Sequence, residues 1–210
     1  MADPAALYNT KLPRDIIELI SKHCESYQSK LLDSTIRTGQ KSEGKHLNAR
    51  NSLNAWIPDE DWLAGFIWYY VQKANYANWR FDITTIDHSS LQYTVYNEGQ
   101  FYNWHTDSGL RELYKAEKYP SSQNINLKDY ATPLAEYTRK LSFSLQLSDP
   151  EEYTGGKLQF IANEANELHT APVELGSLVI FDSHLRHRVT KVRSGTRKSL
   201  VGWVIGPRWK

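Results

Sequence analysis

The most regular pattern in this chain is Leu141-Ser142-Phe143-Ser144-Leu145-Gln146-Leu147-Ser148. Apolar and polar side chains alternate along it, which is typical of a β-strand because successive side chains point to opposite faces. The strand therefore has one apolar face and one polar face. The polar face points either to solvent or into the wet interior of a barrel, and in the second case Ser142 and Gln146 are candidate ligand-binding residues.

Several shorter segments also have strand character. Two of them directly follow glycine turns, at Gly155-Gly156 and at Gly176. Short strands separated by Gly and Pro turns are typical of an all-β sandwich or barrel. We therefore predict a mainly β core whose strands include residues 80–86, 91–96, 157–161, 177–181 and 198–205.

Two helices are predicted in the first part of the chain. The first begins at Pro13, since proline costs nothing in the first helical turn, and continues to about Ser29. The second is capped by Asp59 and buries a stripe of Trp62, Phe66, Ile67, Tyr70 and Val71. We expect residues 1–10 to form a tail, residues 11–80 a helical part with a possible strand at 31–38, and residues 81–210 the β core.

The composition indicates a folded protein of one domain covering residues 1–210. The formal net charge of +1 gives no general reason to expect nucleic acid or a membrane surface as partner. A single cysteine, Cys24, excludes an intramolecular disulfide and a cysteine cluster for zinc or iron–sulfur. We find no apolar run of about 18 residues and no signal peptide, so the expected location is cytoplasmic.

The triplet His105-Thr106-Asp107 and the distant His187 suggest a metal site. In a strand, His105 and Asp107 point to the same side, and a third ligand must come from another segment. Two histidines and one carboxylate can bind one face of an iron(II) ion and leave the other face open. The triplet alone is a weak signal, because a surface histidine beside a solvated aspartate is common.

The sequence around these residues strengthens the assignment. It reads Tyr96-Asn-Glu-Gly99-Gln-Phe-Tyr102-Asn-Trp-His105-Thr-Asp107 and, further on, His187 followed by Arg197 and Trp203. This pattern resembles the Fe(II)/2-oxoglutarate-dependent oxygenases in their prolyl 4-hydroxylase-like branch. The resemblance also covers residues 139–160 and 172–182, and it implies a double-stranded β-helix, or jelly roll.

The resemblance implies a role for each matching residue. His105, Asp107 and His187 would be the catalytic iron ligands. Arg197 would bind the distal carboxylate of 2-oxoglutarate, because a guanidinium binds a carboxylate through two parallel hydrogen bonds. Its spacing from His187 would put it on the next antiparallel strand, beside the metal. The further cosubstrate candidates are Tyr96, Ser199 and Gln146, which stands where some relatives have a tyrosine, and the candidate pocket walls are Tyr102 and Trp203.

Three further features predict where other residues lie or what they contact. His184 is expected on the opposite strand face from His187, near the rim and away from the metal. Residues 108–138 are too long for a hairpin and are expected to form a lid over the substrate, with a decorative insertion as the alternative. The basic cluster from His184 to Lys210 is expected to be a solvated face balanced by acids, with nucleic-acid contact as the less favoured interpretation.

The implied reaction is hydroxylation of a C–H bond, with O2 as cosubstrate and release of succinate and CO2. Ascorbate is expected to support it. The first substrate hypothesis is a prolyl or similar residue of a protein, bound under the lid. The alternatives are a free amino acid or other small molecule and, from another class, a non-catalytic jelly-roll binding module.

Overall fold

A computed structural model of the chain describes residues 8–34, 49–58, 60–87, 91–107, 137–161 and 167–207. It contains helices α1 (Arg14–Glu25) and α2 (Trp62–Asn78). The strands are β1 Tyr8–Lys11, β2 Leu32–Asp33, β3 Arg50–Asn51, β4 Leu53–Ile57, β5 Thr85–Ile86, β6 Leu91–Tyr96, β7 Phe101–His105, β8 Tyr137–Gln146, β9 Tyr153–Gly155, β10 Leu158–Ile161, β11 Leu168–Thr170, β12 Ser177–Asp182, β13 Arg186–Val189, β14 Val192–Gly195 and β15 Arg197–Pro207.

The strands form two large antiparallel sheets. The major sheet has the order β1-β12-β8-β15-β6-β4-β2, with β5 also paired to β15, and the minor sheet has the order β11-β10-β13-β7-β3. A buried cluster joins them, with Phe181 of the major sheet in an edge-to-face contact with Phe160 of the minor sheet at 4.9 Å. The predicted mainly β core of the jelly-roll type is confirmed.

The helices cover the outer face of the major sheet. Ile17 and Ile20 of α1 and Ile67 of α2 belong to one buried cluster with Phe143 and Leu145 of β8. Because the apolar face of β8 is used in this way, its polar face points between the two sheets. Ser142, Ser144 and Gln146 are accordingly buried, so the barrel-interior interpretation of this strand is correct.

The N-terminal region contributes more strand than predicted. Residues 8–10 were expected in a tail, but they lie in β1, which pairs with β12 and extends the major sheet. Of the strand predicted at 31–38, the described residues 31–34 contain the short β2, and the strand predicted at 80–86 is reduced to the short β5. The first helix ends at Glu25 rather than near Ser29, and a 3-10 turn follows at Gln28–Lys30.

The start of α2 also differs from the prediction. Its N-cap is Asp61, whose carboxylate accepts a hydrogen bond from the backbone N–H of Leu63 at 3.0 Å, and not Asp59. With the helix beginning at Trp62, that side chain is 44% exposed. The buried stripe consists of Leu63, Ile67, Val71, Ala74 and Asn75. In the part of the chain that the structure describes, neither helix is long and apolar enough to cross a membrane.

Candidate active site

Two neighbouring strands of the minor sheet bring the candidate ligands together. In the antiparallel pair of β13 and β7, His187 lies opposite His105, and Asp107 follows the end of β7 by two residues. Ligand atoms of the three side chains all lie within 4.8 Å of one another. The distances to Asp107 oxygens are 3.5 Å from Nε2 of His105 and 3.4 Å from Nε2 of His187.

A β-bulge in this pair adds a contact that spacing does not predict. The register runs from His187 opposite His105 to Val189 opposite Tyr102, so β7 has one extra residue here. A bulge of this kind re-aims side chains. Tyr102 and His105 therefore share a face although they are three residues apart, and their rings stack with centroids 3.5 Å apart and planes at 18°.

Backbone carbonyls determine which nitrogen of each imidazole is available. Nδ1 of His105 lies 2.7 Å from the carbonyl oxygen of Asn103, and Nδ1 of His187 lies 2.9 Å from that of Leu185. A carbonyl oxygen only accepts, so each Nδ1 carries the proton and donates. In the neutral rings Nε2 then has a free lone pair directed at the cluster, which is the usual arrangement for metal-binding histidines.

The Asp107 carboxylate is held by the polar face of β8 and by the turn after β12. The Ser142 hydroxyl donates to Oδ2 of Asp107 at 2.8 Å, and it lies 2.9 Å from the hydroxyl of the fully buried Ser183. The backbone N–H of Asp107 donates to the carbonyl of Ser183 at 2.9 Å. Ser142 thus has a defined contact, and Ser183 was missed by sequence reasoning because it stands in no recognisable pattern.

The three groups shift one another's pKa values. Burial disfavours the charged form of Asp107, but the adjacent imidazoles, His187 above all, outweigh it and hold the pKa of the carboxyl well below its usual range. Burial lowers the pKa of His105, whereas for His187 the attraction of Asp107 exceeds burial and raises it. Two imidazoles and an ionised carboxylate within reach of one point are a donor set that fits a divalent iron ion.

Arg197 lies in a buried pocket between the two sheets. Its side chain is 4% exposed, and in the described part of the chain its hydrogen bonding consists of one long contact, from Nη1 to the Ser199 hydroxyl at 3.4 Å. No carboxylate among the described residues pairs with it. The pocket is also lined by Ser144, Gln146, Tyr153, Gly156, Leu158, Ala171, Pro172, Val173, Ser177 and Val179.

The position of Arg197 in the fold differs from the prediction. We expected it on the next antiparallel strand beside the metal cluster, but the strand after β13 is β14, and Arg197 begins β15 in the major sheet. It therefore faces the cluster from the opposite sheet. The inward side chains of Ser142, Ser144 and Gln146 connect the two places along β8.

Tyr153 is a pocket residue that sequence reasoning missed. It is 7% exposed, and its hydroxyl accepts a hydrogen bond from the Gln146 amide at 2.8 Å. Gly156 packs beside it with φ +55°, and a Cβ there would lie 3.0 Å from Cδ of Arg197. The sequence feature that could have indicated Tyr153 is the Gly155-Gly156 turn, because this turn brings the tyrosine that precedes it close to Arg197 at the start of β15.

The remaining candidates lie on the inner face without lining this pocket. Tyr96 is opposite Arg197 in the strand pair of β6 and β15, with its ring 5.7 Å from the guanidinium. Trp203 is opposite Ser142 and stacks with the guanidinium of Arg139 at 4.0 Å. Their assigned contacts with cosubstrate and substrate stay predictions.

Other predicted features have mixed outcomes. His184 is 41% exposed at its side chain and contacts Asp182, away from the metal cluster as expected, but it lies in a turn and not in a strand. The proposed lid at 108–138 falls outside the described residues, except that 137 and 138 begin β8. The basic cluster is not one surface, because Arg197 is buried and Lys198 pairs with Glu25 at 2.7 Å.

Comparison with known proteins agrees with this geometry. The family model of the 2OG-Fe(II) oxygenase superfamily matches residues 91–205, more than half of the chain. A PKHD-type hydroxylase of Acinetobacter baumannii is 25% identical over 192 residues, covering 90% of this chain and 76% of that protein. Another, of Parvibaculum lavamentivorans, is 33% identical over 109 residues, covering 52% of this chain and 38% of that protein, so the chain matches less than half of that relative.

Solved structures show the same fold. A Pseudomonas putida prolyl-4-hydroxylase aligns with a TM-score of 0.65 at 17% identity, covering 98% of this chain and 94% of that one. A Trichoplax adhaerens prolyl hydroxylase, solved with a hypoxia inducible factor peptide fragment, aligns with a TM-score of 0.69 at 14% identity, covering 97% and 84%. With the family model matching the strands that carry the clustered His105, Asp107 and His187, the chain belongs to the 2OG-Fe(II) oxygenase superfamily.

Proposed function

We propose that this protein is a hydroxylase that uses Fe(II), 2-oxoglutarate and O2 to hydroxylate a prolyl or similar residue of a polypeptide, releasing succinate and CO2. The observation that carries the proposal is the joint presence of two features on the inner faces of the sheets. One is the cluster of His105, Asp107 and His187, and the other is the buried Arg197 without an anionic partner among the described residues.

The cluster would hold the iron. The two Nε2 atoms and the carboxylate approach from one side, since they come from adjacent strands of one sheet. Fe(II) supplies the redox chemistry with 2-oxoglutarate and O2 when it is bound. The chain's own contribution is orientation, because Asn103, Leu185 and Ser142 fix the three ligand side chains before a metal arrives.

Arg197 would bind the carboxylate of 2-oxoglutarate that lies farther from the metal. A buried guanidinium whose one hydrogen-bond partner among the described residues is a hydroxyl gains strongly from a dianionic ligand. The Tyr153 hydroxyl accepts from Gln146 and so keeps its own proton available for a second contact to that carboxylate. Ser199, on the same strand face as Arg197, completes the polar end of the pocket.

The choice of a polypeptide substrate is supported by the relatives. The sequence relatives named above are PKHD-type hydroxylases, and the matching folds include prolyl hydroxylases, one of them with a bound peptide. Residues 108–136, which lie between Asp107 and β8, are numerous enough to cover such a substrate. Ascorbate would support turnover. The protein would act in the cytoplasm, where thiols stay reduced, and its single cysteine is buried and free.

The experiment that tests the proposal is a mass-spectrometric comparison of wild type and His187→Ala. Each is incubated with cell lysate, Fe(II), ascorbate and 2-oxoglutarate, and succinate is measured in parallel. A gain of one oxygen atom on a peptide with wild type only would establish the activity and name the target. The same gain on a metabolite would indicate a small-molecule substrate in place of a polypeptide. If wild type produced no oxygen gain and no succinate, the result would favour a non-catalytic binding module.

A further inference from the structure

A second buried arginine, Arg50, stands on the metal side of the minor sheet. It lies on β3 directly opposite Tyr102 of β7 and is 9% exposed. Its Nε donates to Ser52 at 3.0 Å, and its Nη2 donates to Asn54 at 3.0 Å and to Gln92 at 2.8 Å. The guanidinium is thus held in one orientation by neutral oxygens, two from the major sheet and one from Ser52 between β3 and β4. No carboxylate among the described residues pairs with it.

The face of this guanidinium lies over the ring of Tyr102. Its central carbon is 4.6 Å from the ring centroid, and the same ring stacks on His105 with centroids 3.5 Å apart. Because the imidazole covers one side of the Tyr102 ring at that distance, we place the guanidinium on the other side. Arg50, Tyr102 and His105 therefore form a continuous stack that ends at the metal cluster. The hydrogen bond from Nδ1 to Asn103 constrains the imidazole within its plane, whereas the stack constrains the tilt of the plane itself.

The two histidines of the cluster are supported differently. The His187 side chain is 6% exposed and makes an edge-to-face contact with the Phe181 ring at 4.8 Å, beside a packed apolar cluster. The His105 side chain is 16% exposed, and its stacked neighbour is Tyr102. A side chain with less packing around it depends more on a single rigid support.

We infer that Arg50 is a positioning residue for the metal-binding imidazole of His105 and acts through the ring of Tyr102. This inference rests on the proposed function, since it requires that His105 binds the metal. Arg50 itself touches neither metal nor substrate. Its charge and its fixed hydrogen bonds hold the Tyr102 ring by a cation–π contact, and that ring holds the imidazole plane.

The chain offers a matched control for this arrangement. Arg188 stacks on Trp104 at 4.5 Å, nearly the same distance, and it donates to Gln159 at 2.9 Å. Arg188 is the direct neighbour of His187 and Trp104 of His105, but this stack lies on the outer face of the same sheet. Arg188→Met therefore removes a comparable arginine–aromatic contact without touching the support of His105.

The test measures Co(II) binding by the metal-free protein, without 2-oxoglutarate, from the visible absorption of the ion. Arg50→Met should weaken binding about tenfold or more and change the absorption bands, since loss of an outer support typically costs about 10- to 100-fold in metal affinity. Arg50→Lys, which keeps a cation near the ring, should recover part of the loss. Arg188→Met should stay within about twofold of wild type.

A double-mutant cycle separates the proposed route from general damage. If Arg50 acts through Tyr102, Arg50→Met should add nothing to the loss of affinity caused by Tyr102→Leu. Additive losses, an unchanged Co(II) affinity and spectrum in Arg50→Met, or an equal loss in Arg188→Met would each overturn the inference. If Arg50→Met does not fold, an unchanged Tyr102→Leu would overturn it.

Failure of the inference and failure of the proposed function give different results. Wild-type protein that binds no Co(II) would contradict the metal site itself, and with it both proposals. Wild-type protein that binds Co(II) while Arg50→Met binds it equally well would leave the proposed function intact and remove only the role of Arg50.

Discussion

Two buried arginines of the described barrel interior, Arg50 and Arg197, differ in their partners. Arg50 donates to three side-chain oxygens between 2.8 and 3.0 Å and stacks on Tyr102. Arg197 is more deeply buried, at 4% exposure, yet it has one hydroxyl at 3.4 Å. Most hydrogen bonds of the Arg50 guanidinium are therefore made within the protein, whereas most N–H donors of Arg197 are directed at a pocket.

The difference follows from the cost of burying a charge. A guanidinium taken from water must regain hydrogen bonds or an opposite charge, and one left without them destabilises the fold. Ser52, Asn54 and Gln92 compensate Arg50 within the protein. For Arg197 the compensation is expected from an anionic ligand, so the two regions should respond in opposite ways to the same substitution.

The largest expected effect on activity comes from the metal cluster, at which the stack of Arg50 ends and which Arg197 faces from the opposite sheet. His187→Ala or Asp107→Ala should reduce succinate release to background while the fold is retained, because two ligands cannot replace three. Far-ultraviolet circular dichroism checks the fold. His184→Ala is the matched histidine control and should keep activity, and normal succinate release by either cluster variant would contradict the assignment.

Arg197→Met should raise the concentration of 2-oxoglutarate required for half-maximal turnover. Loss of charge-assisted hydrogen bonds of this kind costs about 1.5–3 kcal/mol, or roughly 10- to 100-fold in affinity. Titration of 2-oxoglutarate with succinate release as the signal measures it. An unchanged requirement would mean that the carboxylate binds elsewhere and would remove the contrast between the two arginines.

The two arginines should also differ in their effect on stability without ligands. Arg50→Met removes the short hydrogen bonds to the oxygens of Asn54 and Gln92, which among the described residues then keep the longer hydroxyl contacts from Ser52 at 3.4 Å and Thr94 at 3.3 Å. The loss of these bonds should cost about 1–3 kcal/mol. Arg197→Met removes a buried charge with little compensation, so the free energy of unfolding should stay unchanged or rise. Urea unfolding of both variants tests this, and equal destabilisation would contradict the comparison.

A smaller effect is expected from Gly156→Ala, which changes the space beside Arg197 and not the arginine itself. The new methyl group would lie 3.0 Å from Cδ of Arg197 and 3.2 Å from the Tyr153 ring, at a φ of +55°. The backbone strain should cost roughly 1 kcal/mol of stability. Displacement of Arg197 should raise the 2-oxoglutarate requirement by a few-fold, whereas a change in stability alone would place the ligand away from Gly156.

The smallest effect is expected from Tyr153→Phe. It removes the hydroxyl that accepts from Gln146 at 2.8 Å and keeps the packing of the ring. We expect an increase in the 2-oxoglutarate requirement of about two- to fivefold, close to the value of one neutral hydrogen bond. The measurement is the same titration. A loss as large as that of Arg197→Met would mean that Tyr153 and not Arg197 dominates the binding of the carboxylate.

The local features of this protein could be predicted from its amino-acid sequence. Alternation along 141–148 indicated a strand with a polar face, and the i, i+2 rule put His105 and Asp107 on one side of the chain. The order and spacing of the motifs led to the family and to Arg197. These features are readable because they depend on the residue's own neighbours in the chain, or on a pattern that relatives share.

Contacts between residues that are far apart in the sequence became known from the three-dimensional fold alone. The bulge that stacks Tyr102 on His105 adds one residue to a strand, which breaks the alternation on which the sequence argument depends. Arg50 reaches this stack from an edge strand more than fifty residues before His105, and Arg197 reaches the site from the opposite sheet. Side-chain periodicity specifies the face on which a residue lies, but strand pairing and register specify what it meets there.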